Sequence, residues 1–321
     1  MSRHLVDPEL SVGLDANMPQ QKLDAETLPQ YRQMLLDMVA AIPKPTSEAM
    51  LNVGRADRRI PGPEGAPDVN VLVYTPGDRG EDLLPAILHI HGGGFVSGSA
   101  AMSDPNSRSY SAEMNCVVVS VDYRLAPETP FPGPLEDCYA ALLWLHSAAQ
   151  ELGIDPERIM VAGESAGAGL VAALCLVARD RGHIRPFFQY LAEPMLDHRS
   201  VSSDHPHVGH FGWTRDHNRF GWSSMLGGTT GEETSPYCSP AMAEDLSGLP
   251  PTFIHIGAID LFLEESLDYA RRLTRAGVSV ELHVWPGAFH AFQSTDAHVS
   301  REARRVARTA IHRALHGPTQ G

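Results

Sequence analysis

Short apolar segments alternate with helical segments through most of this chain, and this alternation constrains the fold more than any other feature. The apolar segments have the length and β-branched content of buried strands. They include Pro85–Ile90, Cys116–Val121, Arg158–Gly163 and Thr252–Ile256. Because helical patterns such as Ala166–Arg179 connect them, we predict an α/β fold in which helices cover both faces of a mostly parallel sheet.

The charge of the chain disfavours polyanionic partners. Hydrophobic residues make up 43% of the 321 positions, which is enough for a large core. The 25 lysines and arginines are outnumbered by 39 aspartates and glutamates, so the formal net charge is −14. Since a strongly acidic protein repels phosphate groups, we expect neither nucleic acid nor a membrane surface as a partner.

The cysteines and the first residues predict a reducing compartment. Cys116, Cys138, Cys175 and Cys238 are far apart and form no Cys-x-x-Cys pair, which indicates buried thiols rather than a disulfide framework or a zinc site. The first eight residues lack the apolar region of a secretory signal, and the longest apolar stretch is too short to span a bilayer. We therefore expect a cytoplasmic protein.

The strongest chemical signal is a Gly-x-Ser-x-Gly pattern between a predicted strand and a predicted helix. It reads Gly163-Glu-Ser165-Ala-Gly167. A serine on such a tight turn projects its hydroxyl above the sheet, and glycines two positions away avoid the clash that side chains would make there. The N-terminus of the following helix also favours negative charge near the serine. We predict Ser165 as a nucleophile; the alternative is that the glycines only allow a tight turn.

A serine nucleophile requires a general base and a carboxylate that orients the base. In α/β folds with this serine motif, the chain order is serine, acid and histidine. Asp260 and His290 each follow a predicted strand in the second half of the chain, so both are expected at the sheet edge that carries Ser165. We predict Asp260 as the acid and His290 as the base.

Other histidines and carboxylates compete for these two roles. His89, His255 and His283 lie within predicted strands, where a packed or hydrogen-bonded imidazole is expected. Glu264 and Glu265 are rivals for the acid, but they begin a predicted helix, where acidic side chains interact favourably with the helix dipole. The residues on the loops after the strands remain the better candidates.

A run of three glycines ends the first of the buried strands, in the segment His91–Phe95. Glycines let the backbone approach a ligand with its N–H groups exposed. We expect the amides of Gly92 and Gly93, together with that of Ala166, to bind the oxyanion of a tetrahedral intermediate. The alternative is a flexible glycine loop without a chemical role.

Together these motifs resemble the bacterial hormone-sensitive-lipase family. The resemblance rests on His91-Gly-Gly-Gly-Phe95, Asp122-Tyr-Arg-Leu-Ala-Pro-Glu128, the Ser165 motif, the Asp260 segment and Phe289-His290, and it covers residues 50–320. Within the family, the chain is similar to bacterial carboxylesterases that include the heroin esterases. The resemblance implies hydrolysis of carboxylic esters with small acyl groups.

The resemblance also implies an architecture. It is the α/β-hydrolase fold, a mostly parallel eight-stranded sheet flanked by helices, with a helical cap. We expect residues 1–50 and the polar, aromatic-rich insertion at 200–235 to form the cap. Residues 51–199 and 236–321 are then the catalytic core of a single hydrolase domain. Members of the family often pair through the last strand and its neighbouring helix, so the resemblance implies a homodimer.

Four residues are candidates for the substrate pocket. They are Phe95 in the glycine loop, Ala168 after the nucleophile, and Phe211 and Trp213 in the insertion. Ala168 stands where the family frequently has glycine, and we expect it to narrow the acyl side slightly. The aromatic residues of the insertion have a second interpretation, in which they form the hydrophobic face of the cap. The histidines at 205–210 match no standard zinc spacing, so we expect no metal site.

The sequence therefore predicts a serine carboxylesterase that acts on short-chain esters of small molecules without a cofactor. An amidase or an acyltransferase with the same three residues remains open, because water and other nucleophiles compete for the same acyl-enzyme. A ligand-binding relative without catalysis is a third alternative. Plant hormone receptors of this kind replace the catalytic histidine, whereas His290 is present here.

Overall fold

An eight-stranded sheet forms the centre of the computed structural model, which describes residues 2–12, 14, 22–42, 45, 47–80, 82–227 and 234–317. The strands are β1 Gly54–Ile60, β2 Val69–Thr75, β3 Leu84–Ile90, β4 Val117–Asp122, β5 Ile154–Glu164, β6 Gln189–Ala192, β7 Thr252–Gly257 and β8 Val280–Trp285. The α-helices in these residues are α1 Pro8–Ser11, α2 Leu28–Ala40, α3 Glu48–Leu51, α4 Asp104–Met114, α5 Gly133–Ser147, α6 Ala149–Leu152, α7 Ala166–Arg181, α8 Arg215–Met225, α9 Leu263–Arg275 and α10 His298–His316.

The strand order is β1-β2-β4-β3-β5-β6-β7-β8. β1 pairs antiparallel with β2, and β2 pairs antiparallel with β4, whereas all other pairings are parallel. The predicted mostly parallel sheet is therefore confirmed. Because parallel strands end at the same edge, the loops after β3, β5, β6, β7 and β8 all open on one side of the molecule.

Helices cover both faces of the sheet, as the apolar strands require. In β4, Val117 and Val119 face a cluster that includes Leu170 of α7, whereas Val118 faces a second cluster that includes Ile311 of α10. Side chains alternate between the two faces of a strand, so a strand with apolar residues at every position needs a cover on each side. This burial explains why these strands could be predicted from composition alone.

Two predicted elements differ from the structure at their ends. β5 begins at Ile154 rather than at Arg158, because its first half carries polar residues that hide it from an apolar pattern. The sequence from Leu135 to Leu152 has a continuous helical pattern, but the structure contains two helices there, α5 and α6, with Ala148 between them. Gly153 ends α6 with a φ of 65°, the left-handed conformation for which a glycine is favoured.

The cysteine prediction is confirmed. All four thiols are free and buried. Burial raises the pKa of the Cys238 thiol to about 12, so this side chain stays protonated and behaves as a small hydrophobic group. Among the helices of the described residues, none combines the length and the apolar composition that crossing a bilayer requires.

Hydrogen bonds and an ion pair join helix α2 to the glycine loop after β3 and to the segment after β4. The guanidinium of Arg32 donates to the carbonyl oxygen of Val96 at 2.7 Å and to that of Ala126 at 3.0 Å. It also makes two hydrogen bonds with the carboxylate of Glu128, at 2.6 and 2.8 Å. These contacts hold α2 against the sheet edge where the loops open. Part of the predicted cap, at positions 1, 13, 15–21, 43, 44, 46 and 228–233, lies outside the described residues.

Candidate active site

Ser165 lies on the turn between β5 and α7 with a φ of 54° and a ψ of −122°. The turn is crowded on both sides. A Cβ added to Gly163 would lie 2.7 Å from the carbonyl carbon of Gly167, and one added to Gly167 would lie 2.1 Å from the carbonyl oxygen of Ile90. Only glycine fits at either position, so the spacing of the motif follows from the backbone around the serine.

The three residues predicted as nucleophile, base and acid lie in one hydrogen-bonded row. Nε2 of His290 is 2.9 Å from Oγ of Ser165, and Nδ1 of His290 is 2.8 Å from Oδ2 of Asp260. Oδ1 of Asp260 accepts the backbone N–H of Phe262 at 2.9 Å, which fixes the carboxylate. Asp260 is fully buried, and Ser165 and His290 are 8% and 5% exposed, so little water competes for these hydrogen bonds.

Charge around His290 favours the protonated imidazole. Burial lowers the pKa of His290, but attraction to Asp260 and the hydrogen bond with it raise the pKa, and Glu193 adds to the rise. The net shift is upward from the ordinary histidine value. The site therefore stabilises a protonated imidazole at His290, which is what a general base at this position would require.

The rivals for these roles have other partners or face solvent. His89 is 2.9 Å from a carboxylate oxygen of Glu164, and His255 is 2.9 Å from the hydroxyl of Tyr190. Glu265 accepts the backbone N–H of Leu196 at 2.6 Å. His283 is hydrogen-bonded to Glu281, and Glu264 is exposed.

The glycine loop passes directly beside the nucleophile. A Cβ added to Gly92 would lie 3.3 Å from the Cβ of Ser165, and one added to Gly93 would lie 2.1 Å from the carbonyl oxygen of Ser97. Gly93 has a φ of 123°, a backbone conformation open to glycine. Ala166 is the first residue of α7, so its N–H has no carbonyl partner within the helix. Gly92 and Gly93 line the same cavity as Ser165, and Ala166 directly follows Ser165 in the chain.

A cavity of about 410 Å³ opens above these residues. Tyr31 and Leu35 of α2 and Trp213 of the segment before α8 form apolar parts of its wall. Polar side chains also line it, among them Asn106, Glu193, Gln293 and Arg304. Both segments predicted as the cap thus contribute to the wall of the cavity that contains Ser165 and His290.

Of the four pocket candidates, Trp213 lines this cavity, whereas Phe95, Ala168 and Phe211 do not. Phe95 is only 1% exposed and its ring lies 5.1 Å from that of Trp222. Ala168 is fully buried in α7, and the ring of Phe211 lies 6.0 Å from that of Phe289. The pattern of hydrophobic residues does not distinguish packing in the core from contact with the cavity.

Sequence reasoning missed most of the residues that line the cavity, among them Tyr31, Leu35 and Glu193. Tyr31 and Leu35 are four residues apart in α2, a spacing that puts both on one face of the helix but does not show which face meets the core. Glu193 follows β6 directly, at the sheet edge that carries Asp260 and His290. The rule that identified those two residues applies equally to Glu193.

Glu193, Asp260 and His290 offer ligand atoms within 4.8 Å of one another, which is close enough to hold a metal ion. However, both nitrogens of His290 are already within hydrogen-bond distance of other side chains, Asp260 and Ser165. An imidazole engaged on both sides has no lone pair left for a metal. We therefore interpret this cluster as a hydrogen-bonded acid–base site.

Comparison with known proteins agrees with this geometry. A family model described as alpha/beta hydrolase fold matches residues 87–294. Carboxylesterase NlhH from Mycobacterium tuberculosis is 37% identical over 276 residues, which cover 82% of this chain and 83% of that protein. Esterase LipI from the same species is 32% identical, with 97% of this chain and 96% of that protein covered.

The solved structure of a bacterial heroin esterase superposes with a TM-score of 0.92 at 40% identity, covering 98% of this chain and 100% of that one. A crystal structure of the esterase LipW from Mycobacterium marinum gives a TM-score of 0.83 at 31% identity, and 98% of each chain is covered. The likeness thus extends over both segments that flank the cavity. With the matched family model and these relatives, the chain belongs to the alpha/beta hydrolase fold family, alongside its carboxylesterases and esterases.

Proposed function

We propose that this chain is a serine carboxylesterase that hydrolyses short-chain acyl esters of small molecules through an acyl-enzyme on Ser165. The observation that carries the proposal is the row Ser165–His290–Asp260, with contacts of 2.9 and 2.8 Å, whose first two members line the cavity. The esterase and carboxylesterase relatives support the same reaction class.

In the first half of the reaction, Oγ of Ser165 attacks the ester carbonyl carbon while Nε2 of His290 takes the hydroxyl proton. Asp260 accepts the Nδ1–H of His290, which holds the tautomer that leaves Nε2 free as a base. The carbonyl oxygen becomes an oxyanion, and the amides of Gly92, Gly93 and Ala166 donate to it. The alcohol then leaves with the proton from His290, and the acyl group stays on Ser165.

In the second half, a water molecule attacks the acyl carbon and His290 takes its proton. The second tetrahedral intermediate uses the same three amides. It collapses to release the carboxylic acid, and the proton on Nε2 returns to Ser165. Every group in these steps comes from the chain, the ester or the attacking water, so the proposed mechanism uses neither a metal nor a cofactor.

The preference for short acyl chains follows from the volume of the cavity and from the cap segments that enclose it. We propose that residues 1–50 and 200–235 form a cap whose described parts, including Tyr31, Leu35 and Trp213, restrict the cavity to about 410 Å³. With p-nitrophenyl esters, we expect kcat/KM to be highest for acyl chains of two to four carbons and to fall with longer chains. A profile that rises up to decanoyl or longer chains would contradict the short-chain proposal.

The two alternative reactions, amide hydrolysis and acyl transfer, use the same acyl-enzyme. An amidase cleaves an amide bond instead of an ester bond, and an acyltransferase passes the acyl group to an alcohol or amine instead of water. We expect p-nitroacetanilide to be hydrolysed far more slowly than p-nitrophenyl acetate, because the amine is a poorer leaving group. An added alcohol tests acyl transfer: equal yields of acetate with and without it support hydrolysis. Preferential formation of the new ester would instead identify an acyltransferase.

The exposed edge of the sheet bears on the oligomeric state of the protein. Strand β8 forms one edge of the sheet, and Val284 in it is 42% exposed. We propose that the chain forms a homodimer through β8 and α10. Sedimentation should give about twice the mass of one chain, and a monomer at micromolar concentration would contradict this proposal.

The cysteines bear on the cellular location. Four unpaired thiols are typical of a protein in a reducing compartment, and we propose the cytoplasm.

A further inference from the structure

A buried carboxylate that the proposed reaction does not use lies beside the base. Glu193 directly follows β6 and is 3% exposed. Its Oε2 atom is 3.8 Å from Nδ1 of His290, whereas Oδ2 of Asp260 is 2.8 Å from the same nitrogen. His290 therefore has two carboxylates on the side that faces away from Ser165.

Glu193 also holds the loop that carries His290. Its Oε2 atom accepts the backbone N–H of Ala291 at 2.7 Å. Ala291 directly follows the base and has a φ of 65°, in the left-handed region that non-glycine residues seldom occupy. The backbone N–H of Glu193 itself donates to the carbonyl oxygen of His255 at 2.8 Å. Glu193 thus connects β7 and the loop after β8 at the position of the imidazole.

The second oxygen of this carboxylate has no partner among the described residues. Oε1 of Glu193 is buried and makes no hydrogen bond, and the residue lines the cavity above Ser165. A buried carboxylate without full hydrogen bonding is costly to keep in an apolar site. A packing role alone would not require a charged side chain at this position.

We propose that Glu193 is a second carboxylate for His290, which positions the base through the Ala291 amide and orients the imidazole when Asp260 cannot. This inference rests on the proposed function, because it requires His290 as the general base. In this role Glu193 is a positioning residue. It does not contact the reacting atoms of the ester.

The groups that face Glu193 decide when it carries a charge. They come from every neighbouring loop and strand: Asp260, His290, Glu164, His255 and Tyr190. Burial raises the pKa of Glu193 above the ordinary carboxyl value, the positive charge on protonated His290 opposes the rise, and Asp260 and Glu164 add to it. The carboxyl is therefore ionised most easily while the neighbouring imidazole is protonated.

The sign of the effect follows from this charge. Ionised Glu193 stabilises the imidazolium and so raises the pKa of His290. In the variant Glu193→Gln, the amide oxygen can still accept the Ala291 N–H, but the negative charge is gone. We expect the acidic limb of its kcat/KM profile to move to lower pH relative to the unaltered enzyme, because His290 then loses its proton more easily.

The sharper test uses Asp260→Asn. An asparagine can donate to Nδ1 and hold the wrong tautomer, so we expect a loss of about 10⁴-fold in kcat. If Glu193 is a second carboxylate, its anion accepts the Nδ1–H and restores the tautomer. The residual kcat/KM of Asp260→Asn should then rise at least about tenfold, as one ionisation, between pH 6 and 9 after subtraction of hydroxide hydrolysis. The double variant Asp260→Asn/Glu193→Gln should lack this rise.

Glu265→Gln is the matched control. Glu265 is also a buried carboxylate that accepts a backbone N–H, from Leu196 at 2.6 Å, but it is not in the row with His290. We expect this change to leave the pH profile unaltered in either background. Melting temperatures of all variants separate loss of stability from a change in titration.

Two results overturn the inference. One is an acidic limb for Glu193→Gln that coincides with that of the unaltered enzyme. The other is a residual activity of Asp260→Asn that does not rise with pH, or that rises equally in the double variant. If Glu193→Gln does not fold, Glu193→Ala takes its place in both backgrounds, because only the comparison with a variant that lacks the carboxylate separates its titration from that of His290. Absence of esterase activity in the unaltered enzyme would instead refute the proposed function.

Discussion

Replacement of Ser165 by alanine should lower kcat for p-nitrophenyl acetate by about 10⁶-fold, to the level left by binding and the oxyanion donors. The hydroxyl is the group that forms the acyl-enzyme, and His290 at 2.9 Å has no other proton to take in the first step. In the variant, a water molecule that replaces the serine hydroxyl is not held in position to attack the carbonyl carbon. Activation of this water by His290 alone therefore gives little catalysis. KM should change little.

The control for this variant is Ser111→Ala in α4. Ser111 is fully buried, and its Oγ makes no hydrogen bond with any described residue, so its removal tests the loss of a buried hydroxyl away from the cavity. We expect unaltered kcat for the control and a similar melting temperature for both variants. A fluorophosphonate should label the control and not Ser165→Ala. Turnover of Ser165→Ala within tenfold of the unaltered enzyme would falsify the assignment of the nucleophile.

Replacement of Gly93 by alanine should lower kcat by about 10²- to 10³-fold, which is the usual effect of losing one oxyanion donor. The new Cβ would lie 2.1 Å from the carbonyl oxygen of Ser97, and the φ of 123° disfavours any side chain. The backbone of the glycine loop must therefore shift, and its amides shift with it. The oxyanion exists only in the transition state and the intermediate, so we expect the loss in kcat rather than in KM.

Gly277→Ala is the matched control for backbone strain. Gly277 has a φ of 82°, and a Cβ added to it meets no atom within 4 Å. This variant should therefore show the cost of alanine in the left-handed region without a displaced loop. We expect a lower melting temperature and an unaltered kcat. A kcat for Gly93→Ala equal to that of the unaltered enzyme would show that the Gly93 amide does not contribute to the oxyanion site.

The parallel strands could be predicted because the pattern that identifies each of them, a continuous run of apolar residues, lies within the strand itself. Val117 to Val121 in β4 are fully buried, and a strand that is covered on both faces is apolar at nearly every position. The polar first half of β5 breaks that pattern, since Asp155 and Arg158 form an ion pair with each other at 2.8 Å near the surface. The start of this strand depends on its pairing with β3, which no local pattern contains.

The cavity walls were the least predictable part of the site. Phe95 and Trp213 are both aromatic, both close in sequence to glycines, and both nearly buried, yet only Trp213 reaches the cavity. The difference arises because the ring of Phe95 packs on Trp222, a contact between residues far apart in the chain. Hydrophobic character predicts that a side chain is covered, but the fold decides whether protein or substrate covers it.

The sequence alone determined the α/β architecture and the identity of the candidate nucleophile, acid and base, because strand burial and the order of motifs along sheet edges are properties of short segments. The tertiary structure decided the distances of 2.9 and 2.8 Å among Ser165, His290 and Asp260, since those atoms come from three separate loops. It also brought Glu193 to within 3.8 Å of the base. That contact depends on how β6 and the loop after β8 pack together. Packing between segments that are distant in the chain produces no recognisable sequence pattern in either segment.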